Sequence, residues 1–136
     1  MARILIAEDD PQAGEMLRRV CEFKGHEVQE TRDASQALEA FANCAPDLVI
    51  TDLAMPLGGG QRLLRELRET PAGAACPVIV ITGYATLLGE REREDLKPYA
   101  VLEKPLVLES MLQAVEDALA VSAARSTPTD DQPSEG

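Results

Sequence analysis

Four short apolar runs in this chain each end on residues that can do chemistry. Glu8, Asp9 and Asp10 close Ile4-Leu5-Ile6-Ala7, and Asp52 closes Leu48-Val49-Ile50-Thr51. Thr82 closes Val78-Ile79-Val80-Ile81, and Lys104 follows Ala100-Val101-Leu102-Glu103. Short aliphatic runs bounded by turn residues read as fully buried parallel strands. In an open parallel sheet the carboxyl ends of the strands share one edge, and ligands bind there. Carboxylates, a hydroxyl and an ammonium therefore meet on one rim. Acids crowded in this way cannot all stay ionised without compensation, and Mg²⁺, a hard cation with oxygen ligands, supplies it. Asp52, the sole acid at the end of the central strand, is the candidate nucleophile toward phosphorus. Lys104 would hold a phosphoryl oxygen and Thr82 would donate a hydrogen bond to another. Gly83 leaves room beside them. The combination describes phosphoryl transfer.

Five strand–helix alternations position these residues. Asp10-Pro11 starts the first helix as N-cap and first-turn proline, with Ala13, Met16, Leu17, Val20 and Cys21 as its buried stripe and Gly25 as its stop. A second strand is expected over His26 to Thr31. Asp33 or Ser35 caps a helix carrying Ala37, Leu38 and Phe41. Gly58-Gly59-Gly60 reads as a flexible turn into a helix marked by Leu63, Leu64 and Leu67, which stops before Pro71. No Gly-Lys-Ser/Thr follows, so this is not a phosphate-binding loop. Leu87 to Leu96 is a weakly patterned fourth helix, nearly all charged in its middle. The last helix has Leu108, Met111, Leu112, Val115, Ala118 and Leu119 on one face.

Right-handed crossovers then predict an α/β, flavodoxin-like, doubly wound sheet of five parallel strands in the order 2-1-3-4-5, with five helices. One domain over residues 1–121 and a disordered polar tail over 122–136 complete the expected organisation. The 13 basic and 24 acidic residues give a net charge of −11, which argues against nucleic-acid and membrane partners. No apolar stretch has the length of a membrane span and no signal peptide is recognisable, so a cytoplasmic location is expected. Cys21, Cys44 and Cys76 have no metal-binding spacing. His26, before the second strand, lies at the edge away from the rim.

The segments Ile4-Leu5-Ile6-Ala7-Glu8-Asp9-Asp10-Pro11, Asp52-Leu53-Ala54-Met55-Pro56, Ile81-Thr82-Gly83 and Lys104-Pro105 resemble the receiver domain of two-component response regulators. The resemblance runs from about Ala2 to Ala120. It implies that a sensor histidine kinase or a histidine phosphotransfer protein donates a phosphoryl group to Asp52. It further implies Mg²⁺ held by Glu8, Asp9, Asp52 and the backbone carbonyl of Ala54, with Asp9 in the more direct contact. Thr82 and Lys104 match the residues that bind the phosphoryl oxygens, Asp10 has a capping role, and Lys104–Pro105 is expected to be cis. Three positions depart from the family pattern. Val101 stands where a mobile Tyr or Phe is usual, with Tyr99 two positions away. Gly59 stands where an acid is usual, making the loop floppier. Tyr84 is bulky, and could cover the acyl phosphate or act as the mobile aromatic.

The expected function is a stand-alone phosphorylation-controlled switch, with Met1 and the polar tail favouring a complete protein. It would catalyse only its own phosphoryl transfer and slow dephosphorylation. Output would pass by protein contact through the face of the fourth helix, fifth strand and last helix, a phosphorylation-dependent dimer being one form. The alternatives are a receiver from a hybrid kinase, a phosphorelay intermediate, an unphosphorylated binding module, and an aspartyl phosphohydrolase. The hydrolase would need an acid two residues after Asp52, where this chain has Ala54.

Overall fold

A computed structural model describes residues 2–55, 58–83 and 88–126. Strands β1 (Arg3–Ala7), β2 (Glu27–Thr31), β3 (Leu48–Asp52), β4 (Val78–Thr82) and β5 (Ala100–Glu103) form one sheet. The helices are α1 (Pro11–Phe23), α2 (Ala34–Cys44), α3 (Gly59–Arg68), α4 (Pro71–Ala75), α5 (Glu90–Leu96) and α6 (Leu108–Ser126). Every pairing is parallel and the order is β2-β1-β3-β4-β5, as the sequence predicts.

The pleat sorts the strands into two cores. Leu5, Ala7, Val49, Val78 and Val80 pack with α2, α3 and Leu96 of α5 on one face. Ile4, Ile6, Leu48, Ile50, Ile79 and Ile81 pack with Leu17, Cys21, Met111, Val115 and Ala118 of α1 and α6 on the other. Strands buried on both faces need apolar residues at every position, which is why β3 and β4 show no alternation in sequence.

Local signals set most helix ends. The Asp10 carboxylate accepts from Gln12 N–H at 3.1 Å and starts α1, while Asp33, rather than Ser35, caps α2 by accepting from Gln36 N–H at 2.8 Å. A sixth helix, the one-turn α4, was not expected. Thr70 caps it, its hydroxyl accepting from Gly73 N–H at 3.0 Å, and Pro71 occupies its first turn. The proline that stops α3 thus starts α4.

Other expectations shift. Met16 is exposed and Gly14 is buried in its stead on α1. The fourth helix of the sequence pattern becomes α5, which begins at Glu90; Leu87 lies outside the described residues, as does Tyr84. Helix α6 continues to Ser126, past the domain boundary expected at residue 121, and residues 127–136 lie outside the described residues. Among the described residues no helix is long and apolar enough to cross a membrane.

The triple glycine is the clearest correction. Gly58 and Gly59 have positive φ (96° and 68°), but Gly59 and Gly60 are buried in the first turn of α3. A Cβ on Gly60 would lie 2.5 Å from the carbonyl oxygen of Asp52, and one on Gly59 would collide with that of Leu53. Gly60 N–H donates to Leu53 O at 3.0 Å. These glycines let α3 press directly on the backbone that carries Asp52, so the turn is a packed junction.

Candidate functional site

Strand register explains the convergence on the rim. Ala7 lies opposite Thr51, so Glu8 and Asp52 are next-door continuations of neighbouring strands. Glu8, Asp52 and Lys104 share the parity of Ile6, Ile50 and Leu102, the residues facing α1 and α6. Thr82 has the opposite parity, that of Val78 and Val80, which face α3 and α5. One side chain at the rim is therefore directed to the face that carries α5.

Asp52 and Glu8 are buried, whereas Asp9 is exposed. One carboxylate oxygen from each of the three lies within 4.8 Å of the others. Lys104 Nζ donates to Asp52 Oδ2 at 2.6 Å and to Glu8 Oε1 at 3.4 Å. Ala54 N–H donates to Asp52 Oδ1 at 2.9 Å, and Asp10 N–H donates to Glu8 Oε2 at 3.2 Å. Both oxygens of the Asp52 carboxylate therefore have a donor, which fixes its plane.

Electrostatics follow from this crowding. Burial pushes the Glu8 carboxyl up to about 7, the neighbouring Asp52 charge adds to the rise, and the Asp10 N–H and Lys104 oppose it. For Lys104, burial acts to lower the pKa, yet the hydrogen bond to Asp52 and the charges of Glu8 and Asp52 outweigh it and leave it raised. One ammonium among three carboxylates is too little positive charge. Glu8, Asp9 and Asp52 form an all-oxygen set that could hold a hard divalent cation.

Thr82 is fully buried at the end of β4, and its carbonyl accepts from Lys104 N–H at 2.9 Å, tying the two strand ends together. Ala54 is exposed beside Asp52. A Cβ added to Gly83 would meet no heavy atom within 4 Å, so that glycine borders open space. The Lys104–Pro105 bond is cis. Val101 packs partly buried against the core on the α3 and α5 side. Tyr99 precedes β5, its N–H donating to Val78 O at the far end of β4, so its ring lies remote from Asp52 and cannot replace an aromatic at the rim. His26 likewise sits away from the rim, its Nδ1 accepting from Ala2 N–H at 3.4 Å.

Thr31 was missed by the sequence reading, which left β2 without a role at the rim. Its carbonyl accepts from Glu8 N–H at 3.0 Å and its buried hydroxyl donates to Ile6 O at 2.8 Å. It steadies the turn from which Glu8 projects. A threonine closing a strand that alternates exposed and half-buried residues was the available signal.

Comparisons with known proteins identify the family. Residues 4–116 match the model of the response regulator receiver domain. The chain is 34% identical over 128 residues to the response regulator MprA of Mycolicibacterium vanbaalenii, covering 94% of this chain and 53% of that protein. It is 33% identical over 129 residues to MprA of Mycobacterium avium, covering 95% and 54%. The chain thus spans about half the length of these curated relatives. Among solved structures, a CheY-like receiver domain protein from Methanospirillum hungatei superposes with a TM-score of 0.84 at 25% identity, covering 92% of this chain and 98% of that one. A sensor protein from Polaromonas sp. JS666 gives a TM-score of 0.80 at 29% identity, covering 89% and 98%. With the strand order, the acids at the ends of β1 and β3 and the family match in agreement, the chain belongs to the response regulator receiver domain family of two-component signalling.

Proposed function

We propose that this domain is a phosphorylation-controlled switch whose acceptor is Asp52. The carrying observation is the 2.6 Å contact of Lys104 Nζ with Asp52 Oδ2, inside a cluster that also brings Glu8 and Asp9 within 4.8 Å. An Asp52 oxygen attacks the phosphorus of a phosphohistidine on a sensor kinase or phosphotransfer protein. The new O–P bond forms as the P–N bond breaks, and its electron pair stays with the imidazole. Lys104, already at the carboxylate, offers its protons to a phosphoryl oxygen, and Ala54 N–H holds the other carboxylate oxygen in place. Thr82 offers its hydroxyl to a second phosphoryl oxygen. Mg²⁺, bound by Glu8, Asp9, Asp52 and the Ala54 carbonyl, would neutralise charge on the transferring group.

Turnover is confined to the domain's own phosphoryl transfer and slow dephosphorylation. At the position where an aspartyl phosphohydrolase needs a general acid, Ala54 has only a methyl group. The domain acts in the cytoplasm, and its output is a protein contact through the face of α5, β5 and α6, with a phosphorylation-dependent dimer as one form.

Intact-protein mass after incubation with acetyl phosphate, with and without Mg²⁺, tests the acceptor on wild type and Asp52→Ala. The expected result is one phosphoryl group per chain, dependent on Mg²⁺ and absent from Asp52→Ala. An adduct that persists in Asp52→Ala would refute Asp52 as acceptor. No adduct from acetyl phosphate or from a phosphorylated histidine phosphotransfer protein would favour the unphosphorylated binding module.

A further inference from the structure

Phe23, the last residue of α1, is 88% exposed, more than any other large apolar side chain among the described residues. It does not stand alone. Of the five large hydrophobic side chains exposed among those residues, Met16 and Phe23 lie on α1, and Val107 and Leu108 at the start of α6. Met16 and Phe23 are seven residues apart, two turns, and so share one side of their helix. Apolar residues scattered singly over a surface are ordinary, but a group of them marks an interaction site. Between the two helices runs an open recess of about 330 Å³, lined by Arg19, Val20, Phe23, Lys24, Leu108 and Leu112. Half-buried Val20 and Leu112 form its floor, continuous with the core beneath α1 and α6.

Shape and charge together say what covers this face. An exposed ring beside an apolar recess is self-complementary, because a two-fold axis sets each ring into the other copy's recess. Each copy carries a net charge of −11, so two copies repel over most of their surface. The α1–α6 face is the exception. On α1, Arg18, Arg19 and the adjoining Lys24 outnumber Glu15 and Glu22, while α6 carries Glu109, Glu116 and Asp117 against Arg125. Laying α1 of one copy across α6 of the other therefore sets net positive against net negative charge, twice. With Phe23 seated in that recess, the neighbouring Lys24 meets Glu116, one turn beyond Leu112. Helix α1 has 13 residues, about 20 Å of length, and two packed helices are about 20 Å across, the footprint of a small, reversible interface.

We propose that the α1–α6 face binds a second copy of this chain, with Phe23 as its anchor and Lys24 paired with the partner's α6. The contact is separate from the output face. Leu108 and Leu112 border α1, whereas Glu109, Gln113 and Asp117 lie beside Tyr99 on the β5 side of the same helix. It is also remote from the rim. Phe23 closes the end of α1 that leads through Gly25 to the start of β2, at the edge of the sheet opposite Asp52. The pairing of copies therefore neither needs a phosphoryl group on Asp52 nor covers it.

Sedimentation velocity on the full chain, from about 1 µM to about 1 mM, tests this. Wild type is expected to pass from monomer to dimer within that range. Phe23→Glu should weaken the dimer about 100-fold or more and leave the urea midpoint of the monomer unaltered, because the ring is exposed there. Lys24→Glu should weaken it about tenfold, and adding Glu116→Lys should recover most of that loss. Tyr99→Glu, on the β5 side, should leave the dimer as in wild type, and so should treatment with acetyl phosphate and Mg²⁺. Wild type that stays monomeric at about 1 mM would overturn the inference and make a different protein the occupant of the face. A dimer that survives Phe23→Glu, that Tyr99→Glu abolishes, or that forms only after phosphorylation would overturn it too, placing the contact elsewhere. No recovery by Glu116→Lys would overturn the pairing of α1 with α6. The untreated samples decide the inference whatever becomes of Asp52.

Discussion

The rim around Asp52 and the helix α5 are built on opposite plans. At the rim, Gly60 lets α3 lie against the Asp52 carbonyl, both Asp52 carboxylate oxygens have donors, and Thr31 steadies the turn to Glu8. On α5, a charged surface rests on Leu88 just before its first turn and on Leu96 at its end. Chemistry needs groups held in a fixed geometry before reaction, whereas a charged surface helix needs only enough apolar anchors to keep its place. In this chain the two demands are met in different places.

The comparison breaks most readily at the glycines. Gly60→Ala forces a Cβ against the Asp52 carbonyl and should destabilise the domain by about 3 kcal/mol, read from urea unfolding. Gly83→Ala, where a Cβ meets nothing, should stay within about 0.5 kcal/mol of wild type. Equal losses in the two variants would show that the junction at α3 is not tight.

Acid titration sharpens the same contrast. Glu8 has a raised pKa in the fold, about 7 against an ordinary 4.5, so folding favours its protonated form. Its contribution is complete below pH 4.5 and is lost as pH rises to about 7, a fall of up to about 3 kcal/mol in chelator. Unfolding midpoints across pH 4–8, compared with Glu8→Gln, which cannot titrate there, isolate this group. Mg²⁺ prefers the ionised carboxylate, so its stabilising effect should be strong at pH 8 and small at pH 5. Parallel wild-type and Glu8→Gln curves would remove the explanation.

At pH 8 without metal, Glu8→Gln should itself be more stable than wild type by about 2 kcal/mol, since it removes a buried charge from an acid cluster. The same variant should lose most of the stabilisation by Mg²⁺, measured as the shift in unfolding midpoint. The smallest effect belongs to α5. Arg65→Ala breaks only a half-exposed pair and should change global stability by about 0.3 kcal/mol.

Much of this was legible in the residues themselves. Aliphatic runs that need burial on both faces specify parallel strands, and strand parity with right-handed crossovers brings Glu8, Asp52, Thr82 and Lys104 to one edge. Asp10 and Asp33 cap their helices by contacts two and three residues long, which is why the sequence revealed those starts. Features that depend on distant neighbours stayed hidden. Gly58-Gly59-Gly60 looked like slack because its partner is the carbonyl backbone of Asp52 and Leu53, invisible in a string of letters. Met16 fitted the helical stripe, but only the packed neighbours of α1 decided that Gly14 would be covered and Met16 would not. Arg68 gives no signal in the sequence, because two of the four carbonyls it binds, those of Leu96 and Lys97 beside those of Gly73 and Cys76, lie 28 and 29 residues away. The sequence alone determined which side chains could do chemistry and which edge they share, since periodicity and turn chemistry are local. Tertiary structure alone decided how tightly each is held, because close approach and the satisfaction of buried charge depend on segments far apart in the chain.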